Sequence, residues 1–267
     1  MTVLVNGLSL TGYPWSVTHF KGWTDTAPIE METEKRLGHG SFSTNGSWSG
    51  RAINLRGNVW SSGREQQEQQ RDLLAGLAPR GLSFPVSRSK GGRVLHGDFQ
   101  LSDVTVFDPV TPAFANWELF LYSEDPYLYS EWRESSLYPI GAGVGFDFPA
   151  FSRGGVATFG TAVSTGERIW NDGNADSTPI FTVTADSAGF AVGVGSKRVT
   201  YPWPTYMDVP VTVDMAGAVT VGGVDQSHLL GERGWGSVPP RSTEAVHFSF
   251  LNGGTGWANV RHRDTNI

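Results

Sequence analysis

The chain has no cysteine among its 267 residues. That absence excludes disulfides, thiolate metal sites and cysteine nucleophiles, and it fits assembly in a reducing cytoplasm. Metal chemistry is left to histidine and carboxylates. Positive charge is also scarce: 20 Lys and Arg stand against 26 Asp and Glu, a formal net charge of -6. Beyond "RHR" at Arg261 to Arg263 no run of cations stands out, so the basic surface that a phosphate backbone requires is missing and sequence-specific nucleic-acid binding is not expected. No apolar run approaches the roughly 18 residues of a membrane span. The opening "MTVLVNGLSL" lacks a basic n-region and is interrupted by Asn6 and Gly7, so it reads as a first strand rather than a signal peptide.

What the chain has instead is turn and strand chemistry. Glycine (34), proline (15) and an aromatic share of 12% accompany only 17% charged residues. Glycine supplies positive φ, proline presets turns, and aromatics suit half-buried strands, so the expected class is all-β. The length suffices for two ordinary cores, and two domains are expected.

In "SWSGRAINLRGNVW" Ile53 and Leu55 face one way, Asn54 and Arg56 the other. Trp117, Leu119 and Leu121 alternate in the same manner against Glu118 and Phe120. From about Gly155 a second series of short strand-like runs begins, at the spacing of a β-sandwich. The boundary is expected near 130–145, giving domains 1–135 and 136–267. One stretch departs from the pattern: "SSGREQQEQQRDLLAGLAP" predicts a helix over 63–78, with Ser62 and Glu65 as a capping box and Leu73, Leu74 and Leu77 as its apolar stripe. Its glutamines, Gln66, Gln69 and Gln70, make the first turns too polar for a core. They are expected in water or, for Gln66 and Gln70, at a wet contact with a neighbour.

Catalytic signals are weak. "GSWSG" (46–50) has Trp48 where a nucleophile elbow needs serine. "GAGVG" (141–145) is not followed by a helix that could hold phosphate. The six histidines show no ligand spacing, and His247 is expected outward between Val246 and Phe248. Carboxylate pairs such as Glu131 with Glu134, or Asp208 with Asp214, would serve a glycosidase only if they converged across a cleft. No catalytic, cofactor or metal residue is therefore assigned. Trp203, Trp235 and Trp257 sit in Gly/Pro-rich surroundings where flat rings could stack on a sugar or anchor a partner, or simply plug the ends of a sandwich.

The order of features resembles one known family. The opening strand with its "NG" turn, "RAINLRG" (51–57), the helix, the hairpin "SRSKGGRVLHGDF" (87–99) and "WELFLYSEDPYLYSE" (117–131) resemble the N-terminal domain of the distal tail proteins of long-tailed siphophages. "RIWNDGNADSTPIFTVTA" (168–185), "YMDVPVTVDMAGAVTVGG" (206–223) and "FLNGGTGWANVRHRD" resemble the second domain of that family. The resemblance implies a split β-barrel with a flanking helix, followed by a galectin-like β-sandwich. It further implies a hexameric ring at the virion tail tip, joining tail-tube, tape-measure and tip hub proteins around the path of the DNA, with synthesis in the host cytoplasm. It implies no enzyme activity and no cofactor. In such a ring the segment 28–46 would be an arm reaching a neighbour, since Met31, Leu37 and Phe42 suit a solvated loop poorly. A carbohydrate-binding or adhesin module, using the three tryptophans on host glycans, is the alternative from another class.

Overall fold

The computed structural model describes residues 1–30, 33–35, 41–43, 46–77, 79, 81–139 and 167–267. It is all-β with one flanking helix, and it divides into two compact units: Met1–Glu131 with Asn266–Ile267, and Trp132–Thr265.

The first unit contains β1 (Thr2–Val5), β2 (Leu8–Ser9), β3 (Trp15–Lys21), β4 (Ile29–Glu30), β5 (Thr33–Lys35), β6 (Ser41–Ser43), β7 (Ser47–Trp48) and β8 (Arg51–Trp60). After these come α1 (Arg64–Leu77), β9 (Phe84–Lys90), β10 (Arg93–Leu101), β11 (Val106–Thr111), β12 (Phe114–Ser123) and β13 (Leu128–Tyr129). Its main sheet runs β2-β1-β9-β10-β12-β8-β3, with β11 added to β12 and β13 to β10. This path does not close on itself, so the barrel expected from the resemblance is open.

The period-2 pattern is met residue for residue in the central pair. β8 buries Ile53, Leu55 and Val59, and β12 buries Ala115, Trp117, Leu119 and Leu121. The register sets Ile53 against Leu121, Leu55 against Leu119 and Gly57 against Trp117. A Cβ at Gly57 would run into the Trp117 ring and the Ser16 carbonyl oxygen, so the indole occupies the space that glycine leaves. Trp15 meets the same ring edge-on at 6.1 Å.

The helix packs differently from its sequence pattern. Its buried stripe is Gln67, Gln70, Leu74 and Leu77, while Leu73 is 48% exposed. Burying the two leucines contributes about 1.5–3 kcal/mol each. The glutamines can be buried because their amides are spoken for: Gln67 Nε2 donates to Thr111 O at 2.8 Å and Gln70 Nε2 to Trp60 O at 2.9 Å. Ser61 Oγ donates in turn to Gln70 Oε1. The cap is shifted by one residue as well, since Gln66 and not Glu65 reaches back, accepting from the Ser62 amide at 2.5 Å. At the other end Asn6 Nδ2 donates to the Leu77 carbonyl at 2.9 Å, satisfying one of the free helix-terminal acceptors.

The second unit contains β14 (Arg133–Leu137), β15 (Arg168–Asn171), β16 (Ile180–Ser187), β17 (Phe190–Val194), β18 (Lys197–Tyr201), β19 (Val211–Asp214) and β20 (Ala218–Val221). β21 (Val224–Asp225), β22 (Glu232–Arg233), β23 (Ser242–Phe250) and β24 (Gly254–His262) follow, and then β25 (Thr265–Asn266), whose last residue counts with the first unit. Two sheets, β14-β24-β16-β19-β20-β21 and β15-β23-β17-β18-β22, share one core. Phe181, Val213 and Val260 from the first meet Phe190, Val199 and Phe248 from the second. That is a β-sandwich.

Candidate functional site

The described residues assemble no metal site. They hold no group of three or more His, Asp or Glu that could bind a metal ion, and no described helix is long and apolar enough to cross a membrane. The grooves are shallow. One of about 330 Å³ runs along Asp98, Gln100, Tyr122 and Glu124, and one of about 310 Å³ along Arg56, Asn58, Asp108 and Glu118.

Of the residues singled out in the sequence, Met31 and Leu37 lie outside the described residues, and only the backbone of Phe42, in β6, is described. Gln66 is half-buried and tied to the helix cap, and Gln70 is buried inside its own unit. An amide committed to Trp60 and Ser61 has nothing to offer a neighbour, so Gln70 is a packing residue. The three tryptophans do not share a sheet. Trp257 lies within β24 rather than in a turn and is 37% exposed. Trp203 and Trp235 follow β18 and β22 of the other sheet; Trp203 is 48% exposed with Nε1 donating to Leu229 O at 2.9 Å, while Trp235 packs on the core.

Two polar anchors that sequence reasoning passed over stand out instead. Arg51 is 1% exposed. Its Nε donates to Pro126 O at 2.8 Å, and one terminal nitrogen donates to Gly22 O at 2.7 Å and Asp25 O at 2.8 Å. One guanidinium thereby ties two loops to the first residue of β8. Burial pushes its pKa down, opposed by the charges of Asp25 and Asp125. The signal was legible: Arg51 has the same parity as Ile53 and Leu55, so strict alternation already places it inward.

The second anchor is a cluster in the other unit. His262 is 1% exposed, neither ring nitrogen has a hydrogen-bond partner among the described residues, and it meets Trp170 edge-on at 5.1 Å. Burial lowers its pKa to about 4, with the positive charge of Arg133 adding to the shift and Asp264 opposing it. Arg133 pairs with Asp264 at 2.5 Å and lies over the Trp170 ring at 4.6 Å. Beside them Asn171 is fully buried: its Nδ2 donates to Ala175 O at 2.7 Å and Val238 O at 3.0 Å, and its Oδ1 accepts from Gly173 N at 2.9 Å. These groups hold strands together; nothing about them is arranged around a substrate.

The exposed surface of the first unit includes an edge strand and a hairpin turn. β11 pairs with β12 alone among the described residues, and in and just before it Val104, Val106 and Val110 are 69%, 38% and 56% exposed. The β9–β10 turn, Lys90-Gly91-Gly92-Arg93, projects with five consecutive exposed residues, Lys90 to Val94. Both glycines there have positive φ, 62° and 81°, the requirement of a two-residue type I′ hairpin.

No protein-family model matches the chain, and no curated protein matches it. Solved structures do share its fold. Dit of phage SPP1, described as a paradigm of the hub adsorption apparatus in phages that infect Gram-positive bacteria, aligns over 100% of this chain and 99% of its own, with 15% identity and a TM-score of 0.67. A chain of the phage P2 baseplate, in its calcium-bound activated conformation, aligns over 96% of this chain and 92% of its own, with 10% identity and a TM-score of 0.51.

Proposed function

We propose that the chain is a structural protein of a phage tail tip, six copies of which form a ring that joins the tail tube to the tip proteins and leaves a passage for DNA. One observation carries this reading: the whole chain, both units included, follows the fold of a phage adsorption hub with almost no residue of either chain left over. The exposed apolar edge of β11 supports a role in holding proteins together. On this reading the protein is not an enzyme, its partners are copies of itself, the tail-tube, tape-measure and hub proteins, and its place is the virion after synthesis in the host cytoplasm. The domain at 136–267 would be galectin-like in shape, the two-sheet core of the second unit being compatible with that.

Multi-angle light scattering on the purified protein, with negative-stain electron microscopy, tests the proposal. A six-fold mass and ring-shaped particles are expected, and a monomer at every concentration would count against a self-assembling ring. The exposed rings of Trp203 and Trp257 favour a second reading, a carbohydrate-binding module. Isothermal titration with host-wall glycans, lost on Trp257→Ala or Trp203→Ala, would support it; no heat with any glycan would retire it.

A further inference from the structure

A ring built from one kind of subunit needs two different surfaces on each copy that fit one another, because every contact is head to tail. The first unit carries such a pair at opposite ends of β10. At its start the β9–β10 turn presents Lys90 and Arg93, with no carboxylate anywhere in residues 86–95. Leu4 and Val94, each 38% exposed, lie on strands that both pair with β9, and the register turns them to the face of the sheet opposite to Lys90 and Arg93. The turn itself is basic, and Arg93 is held in place by donating to Asn266 Oδ1 at 2.6 Å. Past the other end of β10 lies the strip from Asp103 to Val110. Its three exposed valines are interleaved with Asp103 and Asp108, and residues 101–112 contain no cation. Across the groove from Asp108, Arg56 is already bound to Glu118 at 2.6 Å, while Arg64 and Arg71 of α1 line a separate groove with Phe107 and Pro109. Two carboxylates, Asp108 and Glu118, thus share Arg56 in that groove. This patch is apolar and acidic.

We propose that the basic β9–β10 hairpin of one copy docks on the acidic valine strip of the next, and that this contact, repeated, closes the ring; the inference rests on the ring reading above. The two patches cannot satisfy each other within one chain, since the nine residues of β10 hold them on the order of 25 Å apart. The exposed valines of the strip supply apolar area, and the opposite charges set register and exclude like-with-like pairing. The contact is made by side chains. Pro109 sits on the open edge of β11 and removes a donor from it, which blocks simple strand addition.

Charge exchange tests the proposal on the full-length protein. One variant carries Lys90→Glu and Arg93→Glu; a second carries Asp103→Lys and Asp108→Lys. All four residues are exposed, but Arg93 also donates to Asn266 Oδ1, so melts are checked by circular dichroism. Lys90→Glu alone, which leaves that bond intact, is run beside the double variant and should weaken self-association in the same direction. In sedimentation velocity each variant alone should self-associate about tenfold or more weakly than the parent, like charges then facing each other in every contact. An equimolar mixture should recover the parent's assembly, because each variant's altered patch matches the other's. If the parent assembles and either variant assembles equally well, or the mixture fails to recover, the contact is overturned and the ring reading stands. If the parent stays monomeric at all concentrations, the ring reading fails and the contact with it.

Discussion

The two units use the same strand chemistry but secure it in different ways. In the first, an open sheet is filled by large rings, Trp15, Trp23, Phe99 and Trp117, and is backed by a helix whose buried stripe is half glutamine. Its loops are gathered by a single buried arginine. In the second, two sheets close on a core of valines and phenylalanines, and the polar work is done at the margin by Asn171, the Arg133–Asp264 pair and a buried neutral histidine. A sandwich that covers both its inner faces needs only edge seals. A sheet that stays open has to bury polar anchors to define where its loops go, and it leaves an edge free for another molecule.

The contrast makes predictions that can be read from separate unfolding transitions, since the two cores are distinct clusters. Gly57→Val should have the largest effect. Its side chain has no space between Trp117 and Ser16, and a loss of about 4 kcal/mol or more is expected in the first unit alone by calorimetry. Arg51→Met comes next. It strips donors from the carbonyls of Gly22, Asp25 and Pro126, and about 3–5 kcal/mol should vanish from the same transition in urea titration.

Acid should act on the other unit. Because the folded-state pKa of His262 lies below its unfolded value, the unfolded chain binds more protons between the two, and stability falls as pH drops from 6.5 toward 4. The full loss is about 3 kcal/mol in the second transition. His262→Phe should flatten that slope, and an unchanged pH profile would show that the histidine is not the titrating group.

Gln70→Ala should cost the first unit about 1–3 kcal/mol by leaving Trp60 O and the Ser61 hydroxyl poorly paired. Gln69→Ala and Leu73→Ala, both on the exposed face of the helix, should each stay within about 0.5 kcal/mol. Equal effects at Gln69 and Gln70 would contradict the orientation of α1.

The helix shows most clearly where sequence reasoning stops. Its place and length were readable from its caps, and α1 spans Arg64–Leu77 within the predicted 63–78. Its buried face was not, because a residue-type scale counts glutamine as solvent-facing. Only the fold brings Thr111 and Trp60 to within hydrogen-bonding distance of the amides, and that reverses the sign of their burial. Leu73 erred the other way, counted inward for its side chain when the 3.6-residue period turns it out. Trp257 failed for a related reason: the glycines around it suggested a turn, yet cross-strand pairing with Thr184 keeps it in a strand.

By itself the sequence determined the all-β class, the single helix and the inward faces of β8 and β12, since side-chain period and turn chemistry act over a few residues and need no partner. It also set the chemistry excluded by the absence of cysteine. The tertiary structure alone decided that Gln67, Gln70 and His262 are buried, which carbonyls Arg51 meets, and that a basic hairpin and an acidic valine strip stand at opposite ends of one strand. Those depend on residues tens of positions apart meeting in space, and no local pattern encodes which of them meet.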